Sequence, residues 1–78
     1  MYYVYLLKSE SDGSFYVGQT VNLQKRINKH NTGSVISTKG KRPWELVKYE
    51  TFETRGESMW REQELKKSAH KRKKFYNN

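Results

Sequence analysis

The segment Tyr2-Tyr3-Val4-Tyr5-Leu6-Leu7-Lys8 runs from aromatic to β-branched to aliphatic residues with no polar break before Lys8. An alternating segment makes a strand with one wet face. An unbroken one makes a strand with apolar groups on both faces, so it belongs in the middle of a sheet covered on each side. The rest of the chain must therefore supply flanking strands and two covering layers.

Those elements can be read in order. Asp12-Gly13 is a strong hairpin signal and joins the first strand to a short second one, Phe15-Tyr16-Val17-Gly18. Gly18 leaves a place where a ligand can approach the backbone closely. Asn22 is a suitable N-cap for a helix from Leu23 to about Asn31, with Leu23 and Ile27 inward and Gly33 as its terminator. Residues 32–43 read as a loop, and Trp44 to Phe52 as a third strand. Thr54 and Glu57 have capping-box spacing and open a second helix, about 55–68, through Met59, Trp60, Leu65 and Ala69. From about residue 70 to Asn78 the sequence is a basic tail that continues the helix or frays. The order β-β-α-β-α predicts a single α+β domain over residues 1–78, a three-stranded antiparallel sheet flanked by helices.

Composition narrows the function. Among 78 residues, 16 Lys and Arg face 8 Asp and Glu, a formal net charge of +8. So positive a small body attracts phosphate polymers. No apolar run approaches the ~20 residues of a membrane span, and the polar start does not read as a signal peptide. With no cysteine there are no disulfides, thiolate metal sites or Cys nucleophiles, which fits a reducing, cytoplasmic setting. Bottom-up, the chain is a small basic α+β domain that binds nucleic acid and no membrane.

A few side chains can carry chemistry. Arg26 and His30 lie four residues apart, on one helical face, where a guanidinium can grip a phosphate; a merely solvated basic face has the same spacing. Glu62 falls on the apolar side of the second helix, between Met59 and Leu65. A carboxylate there needs a salt bridge or a cation, and one carboxylate with waters and substrate phosphate is enough for Mg²⁺. Tyr5 and Tyr16 are core tyrosines or, with cations nearby, phenols of altered acidity, since a phenol ordinarily titrates near ~10. Two sets are candidate phosphate contacts: Thr38, Lys39, Lys41 and Arg42 in the loop, and Lys66, Lys67, Lys71, Arg72, Lys73 and Lys74 toward the end. Phe75 and Tyr76 could stack on bases.

Taken in order, these residues resemble a known family. Tyr3-Val4-Tyr5 and Tyr16-Val17-Gly18 are similar to the paired tripeptides of the GIY-YIG nuclease superfamily, with Arg26 ten residues after Tyr16, His30 a turn later, and Glu62 on a later helix. The stretches Thr38–Trp44 and Arg61–Lys67 resemble the small stand-alone bacterial members, and the likeness extends to the N-terminal nuclease domain of excision-repair nucleases. The resemblance implies an endonuclease that uses Mg²⁺ or Mn²⁺ on phosphodiester bonds, in DNA more than RNA, in a setting such as repair or recombination. It implies that Tyr16 positions or deprotonates water, supported by Tyr5. Arg26 would neutralise phosphate charge, His30 would assist proton transfer or hold the phosphate, and Glu62 would hold the metal. Two departures count. The first Gly of the family name is Tyr3, and a Lys that some repair nucleases carry three residues after the second Tyr is Gln19. No targeting domain is attached, so target choice falls to its own loops, a dimer or a partner protein. The alternative is a non-catalytic nucleic-acid-binding module on the same scaffold.

Overall fold

In the computed structural model, which describes residues 1–77, the apolar run Tyr2–Ser9 forms strand β1 at the centre of a three-stranded sheet. Strands β2 (Phe15–Thr20) and β3 (Trp44–Phe52) flank it, both antiparallel. Helix α1 (Leu23–Thr32) follows β2, and a one-turn helix α2 (Ile36–Lys39) interrupts the segment expected to be loop. Helices α3 (Arg55–Lys67) and α4 (Ala69–Asn77) close the described chain. The molecule is therefore the expected α+β fold with two additional helices. Among the described residues no helix is long and apolar enough to cross a membrane.

Register decides which side chains meet. Tyr5 pairs with Gly18 and Leu7 with Tyr16, so these four share one sheet face. On that face Tyr5, Leu7 and Trp44 form a core with Tyr16, Leu46 and the inward Leu23 and Ile27 of α1. On the other, Val4, Leu6, Val17, Val47 and Phe52 pack with Leu65 of α3 and Phe75 of α4. Lys48 pairs with Leu6 and Leu46 with Leu7, so Val47 is the extra residue of a bulge in β3; Leu46 joins the first core and Val47 the second.

The caps are mostly those the sequence predicts. The Asn22 side chain accepts from Lys25 N–H, and Gly33 ends α1 at φ 83°. Thr54 Oγ1 accepts from Glu57 N–H at 3.2 Å and donates to the Glu57 carboxylate at 2.9 Å.

Three expectations are corrected. Met59 and Trp60 do not face the core; they are 49% and 71% exposed. Ser58 is the residue pressed to the sheet, its hydroxyl 2.9 Å from the Gln19 side-chain amide of β2 and 2.8 Å from the Arg55 carbonyl. Trp60, two positions on, lies roughly 200° around the helix and points away. Second, Ala69 does not belong to α3, because Ser68 takes extended geometry (φ −122°, ψ 108°) and ends it. Third, the basic stretch from about 70 is neither a frayed tail nor a continuation. Ser68 Oγ accepts from Lys71 N–H, which starts α4, and Phe75 anchors that helix in the core. Phe75 is 4% exposed and cannot stack on a base. Asn78 lies outside the described residues.

Candidate active site

The site grows from the contact between β1 and β2. Gly18 lies across from Tyr5, and a Cβ there would collide with the Tyr5 hydroxyl. The gap at Gly18 thus admits the Tyr5 ring, where the sequence suggested a ligand. The fully buried hydroxyl of Tyr5 meets His30 Nε2 at 2.8 Å, and His30 Nδ1 meets Thr38 Oγ1 at 2.8 Å. Tyr16 completes the cluster, its ring 4.9 Å from His30 and 6.4 Å from Tyr5 between centroids. Trp44 walls the far side, 6.2 Å from Tyr16.

Burial sets the protonation of this group. It pushes the Tyr5 phenol up to about 12, outweighing the hydrogen-bonding pull of Arg26, so Tyr5 keeps its proton. It pushes His30 down to about 4, with the Arg26 charge adding to the effect, so the ring is neutral. Both nitrogens of His30 are engaged and the ring is fully buried, which leaves it no direct reach to a phosphate. Its place is behind Tyr5.

Arg26 projects from α1 beside the two tyrosines, and the neighbouring Tyr5 phenol pushes its already high pKa further up. Its Nε is buried and has no hydrogen-bond partner within the chain. The residue lines an open cleft of about 350 Å³ with Thr20, Val21, Asn22, Lys25 and Lys29. Lys25 and Lys29 are cations that no motif in the sequence singles out, although Lys29 lies one helical turn from both Lys25 and Arg26. Glu62 enters from α3, which packs on β2 and β1, and its charge acts on the Tyr5 phenol. Its side chain is only 14% exposed, and Oε2 pairs with Lys66 at 3.0 Å. The register puts Tyr5 and Tyr16 on one face, and Arg26 and Glu62 both bear on Tyr5.

The remaining candidates scatter. Thr38 is fully buried and turned inward, so it is no phosphate contact. Lys41 pairs with Asp12 at 3.8 Å, Arg42 Nε donates to the Lys39 carbonyl at 2.8 Å, and Lys39 is exposed. Lys71 pairs with Glu64, and Arg72 donates to the Leu65 carbonyl, each at 2.9 Å. Lys67, Lys73 and Lys74 are exposed, the last two on α4, which covers the opposite face from the tyrosines. Of these cations, Lys66 pairs with Glu62.

The chain belongs to the family of the GIY-YIG catalytic domain, whose model matches residues 1–77. Within that family it is similar to small proteins named UPF0213. A UPF0213 protein of Staphylococcus saprophyticus is 41% identical over 73 residues, covering 92% of this chain and 88% of the relative. One from Clostridium perfringens is 45% identical over 74 residues, covering 94% and 78%. The solution NMR structure of a UPF0213 protein from Bacillus halodurans superposes with a TM-score of 0.58 at 37% identity, covering 95% of this chain and 80% of that one.

Proposed function

We propose that this chain is a metal-dependent endonuclease acting on nucleic acid, with DNA the preferred substrate. The observation that carries the reading is Arg26. Its guanidinium lies beside Tyr5 at a cation-lined cleft, and its buried Nε–H still lacks an acceptor. A phosphate oxygen is the acceptor such a group suits.

The residues present fit a divalent ion. Among the described residues no three His, Asp or Glu side chains gather as a cage. A single, mostly buried carboxylate suits Mg²⁺ or Mn²⁺, which keep waters and take substrate phosphate as further ligands. Glu62 would hold the ion, which when bound stabilises charge on the phosphate and the leaving oxygen. The chain's own residues do the rest. Tyr16 orients the attacking water, whose oxygen bonds to phosphorus as one P–O ester bond breaks. One proton leaves the water and one reaches the departing oxygen. Arg26 balances the charge that builds on the phosphate. Tyr5 holds Arg26, and His30 holds Tyr5.

Incubation with supercoiled, branched and single-stranded DNA and Mg²⁺ or Mn²⁺ tests this. Ion-dependent cleavage is expected, lost with Glu62→Ala and reduced about 10²- to 10³-fold with Arg26→Ala. Absence of cleavage on every substrate, or full activity in Glu62→Ala, overturns it. The Lys66 pairing of Glu62 favours one other reading, a non-catalytic binding module. That reading predicts salt-sensitive binding untouched by chelator.

A further inference from the structure

Thr38 is buried at the α2 turn, and its neighbours fix the direction of each proton in a buried chain. A hydroxyl has one hydrogen to give. Thr38 Oγ1 lies 3.3 Å from the Val35 carbonyl, which can take its hydrogen, and the buried Tyr5 hydroxyl has His30 Nε2 as its acceptor. Toward His30 Nδ1, 2.8 Å away, Thr38 Oγ1 is then the acceptor, and Nδ1 carries the ring hydrogen. A neutral imidazole has a single N–H, so His30 Nε2 is bare and receives the Tyr5 hydroxyl hydrogen across 2.8 Å. The lone pairs of the Tyr5 oxygen are left for Arg26, whose guanidinium only donates.

The opposite polarity fails on the same geometry. With hydrogen on Nε2, His30 and Arg26 would both donate to Tyr5. The buried Tyr5 hydrogen would then lose its acceptor at His30, which is costly. Thr38 is itself held firmly. Its carbonyl accepts from the Trp44 indole N–H at 2.9 Å. Asn31 in turn brackets the Trp44 backbone, accepting from its N–H at 2.6 Å and donating to its carbonyl at 3.1 Å.

We infer that Thr38 is a positioning residue: it fixes His30 as the Nδ1–H tautomer, which makes Tyr5 a donor inward and leaves its oxygen an acceptor on the side of Arg26. The effect on cleavage rests on the nuclease reading above; the tautomer does not.

The test is ¹⁵N NMR of the imidazoles in the full chain, paired with steady-state cleavage of DNA with Mg²⁺. Wild type is expected to show His30 protonated at Nδ1 and bare at Nε2. Thr38→Ser keeps that pattern, whereas Thr38→Val, of similar shape but without the hydroxyl, loses it. In cleavage, Thr38→Val is expected to lower kcat about tenfold with KM within about twofold, and Thr38→Ser to restore kcat. An Nε2–H ring in wild type overturns the inference. So does a folded Thr38→Val variant with unchanged tautomer and kcat. Should Thr38→Val not fold, the wild-type and Thr38→Ser spectra decide. Should wild type cleave nothing, the nuclease reading falls and the tautomer still upholds or overturns the relay.

Discussion

A hydrogen atom is all that position 18 can carry. A Cβ there would stand 2.5 Å from Tyr5 Cζ and 3.0 Å from Cε2, on a ring that His30 holds in place. Gly18→Ala is expected to destabilise the fold by about 1–3 kcal/mol in urea unfolding, through overpacking. His30 makes a second residue-scale prediction. The unfolded ring protonates near 6.5 and the folded one near 4, so between these values the unfolded chain binds more protons. Stability therefore falls as pH drops through that window and levels off below it. The loss is about 1–3 kcal/mol, read from urea midpoints at pH 7 and pH 4, and His30→Gln should flatten the slope. Tyr5, Tyr16, Arg26 and Glu62 stand out as candidates in the sequence because their order and spacing are local facts. Thr38 is not legible there as a partner of His30. Its hydroxyl matters only through a residue on α1, and nothing in a Thr-Lys-Gly-Lys-Arg stretch distinguishes an inward threonine from an exposed one.

At the scale of elements, the strands, α1 and α3 follow from an apolar run, an Asp-Gly turn and two caps. Helix α4 does not, since its sequence Ala69–Asn77 is dominated by cations and has one buried side chain, Phe75. What makes it an element is the joint at Ser68, which closes α3 through its N–H to the Glu64 carbonyl and opens α4 through its hydroxyl. Ser68→Ala is expected to cost about 1 kcal/mol, as the loss of an N-cap does. Phe75→Ala, which empties a core position, is expected to cost about 3–5 kcal/mol. Both are measured by chemical denaturation. The face of α3 departs from expectation at Met59 and Trp60 for a related reason. Apolar character points them inward, but a serine hydrogen-bonded to Gln19 decides the rotation.

For the molecule as a whole, the proposed function divides the charge of +8 by the sheet face on which each cation lies. Lys25 and Lys29 border the Arg26 cleft, while Lys73 and Lys74 lie on a helix covering the other sheet face. Replacing the first pair by Ala should lower the salt dependence of DNA binding by about two phosphate contacts; replacing the second pair should change it less. Fluorescence titration across a range of salt concentrations measures the difference. The Lys66–Glu62 pair has a consequence of its own. On the proposed reading, an arriving divalent ion finds a tethered ammonium already in its berth and must evict it. The carboxylate is thus never left uncompensated, and the protein should keep its shape without metal. Chelation would silence cleavage while leaving the melting temperature where it was: a tool that can be disarmed without being dismantled.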